Sequence, residues 1–219
     1  MSPQDVAEYL KSHPEFFDQH ADLLQAVTLP HPHGGRAISL SERQMLALRE
    51  KIKALELRLA ELVRFGQEND AILERLQRWT RGLLLQRQAR ALPDALQNSL
   101  AEIFTVPQVA LRIWDASDDF TDLAATRPVA PEVRTLADQL RLPYVGASAP
   151  AYALAIDLLD GPAVESIALL PLRRGAAPAA FGLLVLGSPD ARRFHGGMGT
   201  EVLARIAETA SAALTRLLS

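Results

Sequence analysis

Between residues 45 and 62, apolar side chains recur with the regularity of a helix seam. Met45, Leu48, Ile52, Leu55, Leu59 and Leu62 follow one another at intervals of 3, 4, 3, 4 and 3, which holds them in one narrow stripe and is the repeat of a coiled coil. With Met45, Ile52 and Leu59 at position a and Leu48, Leu55 and Leu62 at position d, the residue types favour two parallel strands. Lys51 at position g then faces Glu56 at the following e of its partner. The pattern predicts a homodimer joined along these six residues; an amphipathic helix packed against its own domain is the other reading. Ser39 and Glu42 form a capping-box pair at the start of the helix. The stripe weakens at Gly66 and Asn69 and resumes at Leu73, Leu76 and Leu83. Beyond Phe65, Ile72 and Trp79 widen the apolar face, as expected of a helix packed on its own domain.

Ahead of this arm, Ser2-Pro3 marks a helix start, Val6, Tyr9 and Leu10 give it an apolar face, and His13-Pro14 ends it. A second short helix is expected to carry Phe16, Phe17, Leu23 and Leu24. The stretch LPHPHGG at 29–35 is a turn or linker. After Leu92-Pro93 the texture changes. Residues 109–115 alternate Val109, Leu111 and Ile113 against Ala110, Arg112 and Trp114, a half-buried strand. Dense apolar runs at 166–173 and 181–188 predict a central hairpin buried on both faces. A further strand is expected at 120–126, and helices at 131–140 and 200–218. The resulting expectation is an α+β protein, a helical amino-terminal arm followed by a central antiparallel sheet with helices on one face. It divides into short helices and linker at 1–35, a long helix at 36–92 and a domain at 93–219.

Composition narrows the function more than the fold. With 48% hydrophobic and 22% charged residues the chain has ordinary globular usage. A formal charge of −3 offers no bulk attraction to nucleic acid or anionic membrane. Residues 36–92 nonetheless hold 12 of the 23 Lys and Arg against 7 of the 26 Asp and Glu. The absence of cysteine excludes disulfides, thiolate metal sites and thiol nucleophiles. The first residues lack the apolar core of a secretory signal, and no apolar run approaches the ~20 residues of a membrane span. A cytoplasmic protein is expected.

Candidate chemistry is sparse. His31-Pro32-His33 offers two metal ligands with no partner pair nearby in sequence, so no metal site is expected. Asp118, Asp119 and Asp122 suit a polar turn, and Gly196, Gly197 and Gly199 a flexible approach to the last helix. No nucleophile, base and acid can be assembled, and the chain is expected not to be an enzyme. Arg75, Arg78, Arg81, Arg87 and Arg90 form a basic stripe beside Trp79, either a solvated helix face or a surface for phosphates or an acidic protein. Arg112, Trp114 and Tyr144 are the candidate ligand-binding residues. A cation beside aromatics suits an anionic planar molecule, and a snorkelling arginine with a packed tryptophan is the other reading. Asp115 and Asp157 are the carboxylates available to neutralise Arg112.

The carboxyl-terminal half resembles a GAF domain, with paired apolar strands, GSPDARRF at 187–194 and a closing helix. Four ordered motifs, HPEFF at 13–17, LPHPHGG at 29–35, ISLSERQMLALRE at 38–50 and FHGGMGTEVLARIAE at 194–208, are similar to a bacterial family catalogued as domain of unknown function 484. The resemblance implies a helical arm and a GAF-like domain and carries no assigned activity. Its members are often encoded near a tyrosine recombinase, which points to a recombinase or nucleic acid as a partner. GAF domains bind cyclic nucleotides, tetrapyrroles or small metabolites, or only dimerise. Pigment-attaching and methionine-sulfoxide-reducing members use cysteine, which is absent here. The Asn-Lys pair of phosphodiesterase-type cyclic-nucleotide binders is absent too. The expectation is a non-catalytic regulatory or signalling protein that senses an unidentified small molecule and couples it to a dimeric arm. The alternative is a scaffold recruiting a protein or DNA partner with no ligand. No cofactor follows from the sequence.

Overall fold

The computed structural model describes residues 2–26 and 40–218. The linker at 29–35 with His31 and His33, and the capping pair built on Ser39, lie outside the described residues. The chain divides into two compact units, 1–61 and 62–219.

In the first unit, α1 (Pro3–Ser12) opens on the predicted cap. The Ser2 amide donates to the Asp5 carboxylate at 2.7 Å, and the Asp5 amide donates to Ser2 Oγ at 3.3 Å. Hydrogen bonding to the carboxylate, first from the Ser2 amide and then from its hydroxyl, holds the Asp5 carboxyl below its ordinary range. The helix stops directly before His13-Pro14. The expected second helix forms as two short pieces, α2 (Phe16–Gln19) and α3 (Ala21–Ala26). Helix α4 (Leu40–Leu85) then runs 46 residues without a break. Its apolar stripe changes character along its length. From Met45 to Leu62 the six stripe residues are 52–67% exposed, whereas Leu76, Trp79 and Leu83 are buried.

The second unit is a four-stranded antiparallel sheet of β1 (Gln108–Ile113), β2 (Tyr144–Ala147), β3 (Ser166–Arg173) and β4 (Ala180–Ser188), in the order β1-β4-β3-β2. The apolar runs at 166–173 and 181–188 are the two central strands. Both faces of these strands are buried, which is why they read as continuous rather than alternating. On one face, Leu111, Leu170, Leu172 and Leu184 pack against α5 (Leu92–Phe104), α8 (Glu201–Leu214) and the last turns of α4. The larger helices gather here, but helices do not keep to one face as the pattern implied. The opposite face, with Ala110, Ile167, Leu169, Leu183 and Val185, is covered by two shorter helices, α6 (Pro131–Gln139) and α7 (Ala153–Ile156).

Residues 120–126 do not form the expected strand. They fold as two tight turns, Asp118–Phe120 and Ala124–Thr126. Thr126 Oγ1 donates to the Phe120 carbonyl at 2.7 Å, and Thr121 Oγ1 to that of Asp118 at 3.1 Å, so local side-chain bonds take carbonyls that a ladder would need. The closing helix ends at Leu214. A further turn leads to an isolated bridge between Ala116 and Leu218 that fastens the carboxyl-terminal segment beside the end of β1. A division at 92/93 would cut through the core, because Leu76, Trp79 and Leu83 belong to the same buried cluster as Leu92, Leu96 and Leu100.

Candidate functional site

Arg112 and Trp114 lie on the α6/α7 face of the sheet, opposite Leu111 and Ile113, as strand alternation requires. Trp114 is anchored at both backbone and ring. Its amide donates to the Phe181 carbonyl at 3.0 Å and its indole Nε1 to the Ala180 carbonyl at 2.7 Å. The guanidinium of Arg134, from α6, lies 5.7 Å from the centre of the indole, within cation–π range.

Arg112 is half-buried, and its Nη1 donates to the carbonyl of its neighbour Leu111 at 2.8 Å. Burial, followed by repulsion from Arg127, lowers its pKa, and the Asp160 carboxylate acts in the opposite sense. Asp160, rather than Asp115 or Asp157, is therefore the acidic group that its field registers. Arg112, Arg127 and Arg134 gather positive charge near the β1 end of this face. The sequence pattern singled out one of the three, because Arg127 and Arg134 come from a turn and a helix whose position over β1 has no local signature.

Tyr144 shares the face but not the neighbourhood. Across the sheet it aligns with Leu169, Val185 and Ala110 in turn, which places it three strand spacings, about 14 Å, from β1. Its ring packs on Tyr152 with centroids 4.4 Å apart. Burial and then the hydrogen bond with Tyr152 raise the Tyr144 phenol pKa above its ordinary value. Between the two ends the face is filled by Ile167, Leu169, Leu183 and Val185, each 0% exposed. The three predicted residues thus form two separate sites, a cationic–indole end at β1 and a tyrosine pair at β2.

A different arginine organises the far end of α6. Arg173 donates to the carbonyls of Ala137 at 2.9 Å, Asp138 at 3.1 Å and Pro178 at 3.1 Å. It ties the last turn of the helix to the β3–β4 connection and satisfies carbonyls that helix termini leave open. Clefts of about 280 and 380 Å³ flank it, and neither is lined by Arg112, Trp114 or Tyr144.

The predicted basic stripe is shorter than its sequence. Arg75, Arg78 and Arg81 are exposed on α4, while Arg87, also exposed, and Arg90 follow the helix end, and the Arg90 side chain is taken up by structural partners. Arg90 donates to the Asp119 carbonyl at 2.6 Å and pairs with the Asp122 carboxylate; the Arg87 carbonyl accepts from Arg216 at 2.9 Å. Among the described residues no cluster of three or more metal-ligating side chains occurs. No described helix is long and apolar enough to cross a membrane.

Residues 1–219 match the family described as protein of unknown function, DUF484. The chain belongs to the DUF484 family. An Escherichia coli relative described as uncharacterized protein YigA is 30% identical over 214 residues, covering 92% of this chain and 86% of its own. The Salmonella typhimurium protein of the same description is 27% identical over 216 residues, with the same coverage. Among solved structures, the GAF domain of a phosphoenolpyruvate-protein phosphotransferase from Coxiella burnetii covers 66% of this chain and 93% of its own at 13% identity, with a TM-score of 0.50. In this DUF484 chain the carboxyl-terminal unit therefore has the GAF-like fold that its apolar strand pair and closing helix implied.

Proposed function

We propose that this protein is a non-catalytic regulator whose GAF-like domain responds to a small anionic, planar molecule at the β1 end of the α6/α7 face, with helix α4 as its output. The observation that carries the reading is Arg112. A half-buried guanidinium whose hydrogen bond among the described residues is to the carbonyl next door, and on which repulsion from Arg127 outweighs attraction to Asp160, has unused donors and an excess of positive charge around it. An anion stacked on Trp114 would supply the missing acceptor, since buried charge without a partner is costly.

A thermal-shift series with nucleotides, amino acids and organic acids tests this. A ligand at about 100 times its Kd adds ~2.7 kcal/mol, and the shift should vanish in Arg112→Ala while the circular dichroism spectrum is kept. If no anion stabilises the wild-type protein, the sensing reading fails. The second reading, a scaffold that recruits a protein or DNA partner without a ligand, is favoured by the apolar filling between Arg112 and Tyr144.

A further inference from the structure

Helix α4 carries one stripe with two fates. Its d positions Leu76 and Leu83 are buried in the domain core, while Leu48, Leu55 and Leu62, the same position in earlier heptads, are 58%, 52% and 67% exposed. The intervening a positions Met45, Ile52 and Leu59 are 54%, 54% and 62% exposed. Six large apolar side chains in a strip about 26 Å long form a contiguous surface. Leu46 and Leu57 are exposed outside the strip, as single surface leucines ordinarily are.

We infer that residues 45–62 are covered by the same segment of a second copy, running parallel and in register. The charges that border the strip select the orientation. Position g holds Gln44, Lys51 and Arg58, and position e holds Arg49, Glu56 and Val63, all exposed. In a parallel pair, g of one helix meets the following e of the other. Lys51 then meets Glu56 twice, Arg58 lays its stem over Val63, and no like charges oppose each other. In the antiparallel pair that aligns the same six layers, g meets g and e meets e. Lys51 would face Arg58 twice, cancelling the two attractive Arg49–Glu56 pairs. The parallel pair keeps attraction without repulsion. This inference does not depend on the domain binding a ligand.

Three measurements on the full chain decide it. Analytical ultracentrifugation should find a dimer that dissociates on dilution, and the Leu55→Asp, Leu62→Asp double variant should be monomeric with an unchanged domain melting transition. Lys51→Glu should weaken the dimer severalfold by opposing Glu56, and adding Glu56→Lys should restore it. An antiparallel pair gives the opposite sign, because Lys51→Glu would then attract Arg58 and tighten association. Leu48→Cys, in a chain that has no other cysteine, should cross-link on oxidation. In the antiparallel alignment the two sulfurs would sit eleven residues apart, about 16 Å, too far for a disulfide. A monomer at every concentration, a dimer indifferent to the leucine changes, or tightening by Lys51→Glu each overturns the proposal.

Discussion

Trp79 is 0% exposed, sits edge-on to Phe104 with centroids 6.5 Å apart, and among the described residues its indole Nε1 has no hydrogen-bond acceptor. Two costs therefore oppose each other at one side chain. Truncation to alanine empties a large core volume and should cost ~3–5 kcal/mol. Trp79→Phe also loses volume, but it removes a buried donor whose lack of a partner costs ~1–3 kcal/mol. Urea unfolding should place Trp79→Phe much nearer the wild type than Trp79→Ala; a loss of several kcal/mol in Trp79→Phe would show that the indole N–H has an acceptor after all. At the surface, Asp122 supplies a pH test. The hydrogen bond from Arg90 lowers its carboxyl pKa, and the group is fully exposed. A depressed folded value means that its stabilisation is present above the unfolded carboxylate pKa, about 3.9, and is lost as pH falls through the folded value. An NMR titration should give Asp122 a midpoint below that of an ordinary aspartate, returning towards it in Arg90→Ala.

Sheet edges are where the elements depend on single side chains. Strand β1 is an edge strand, and the outward amide of its buried Leu111 donates to Gln97 Oε1 of α5 at 3.1 Å. Strand β3 becomes an edge beyond Leu169, where its pairing with β2 ends. Pro171 has no N–H there, and the Arg173 amide donates to Ser211 Oγ of α8 at 3.1 Å. Unpaired edge donors invite pairing with other chains, and these side chains occupy them. Gln97→Met keeps the length of the side chain while stranding the Leu111 amide, and should cost ~1–3 kcal/mol in urea unfolding. No loss would mean that water reaches that edge. These contacts also mark what a sequence can carry. Strands β1, β3 and β4 were legible because alternation or continuous burial is written into their residues, and α1 and α6 because prolines mark their starts. Strand β2 was missed, since four residues, Tyr144–Ala147, leave no period to read. Helix α5 did leave a signal in Leu92, Leu96 and Leu100, obscured by taking Pro93 as a boundary rather than as the first turn of a helix. At the candidate site, alternation put Arg112 and Trp114 on one face, but nothing local could show that Tyr144 stands at the opposite edge of the sheet.

For the molecule as a whole, the buried cluster reaches back into α4, so fragments should be cut accordingly. A fragment of residues 62–219 keeps Leu76, Trp79 and Leu83, whereas 92–219 loses all three from the core. The longer fragment should unfold in one cooperative transition. The shorter should expose apolar surface, bind a hydrophobic dye and aggregate, whereas equal stability of the two would detach α4 from the core. The chain has two tryptophans, and the sheet separates them: Trp79 is buried against Phe104 of α5 on one side, and Trp114 is half-buried beside Arg134 of α6 on the other. Each is a built-in optical probe for one side of the sheet. In Trp79→Phe the remaining emission reports on Trp114, and an anion arriving beside Arg112 should quench it. In Trp114→Phe the emission reports on Trp79, and loosening of the end of α4 should shift it to the red. Recorded in parallel, the two variants would give the time at which each side responds, and hence whether a signal crosses the sheet.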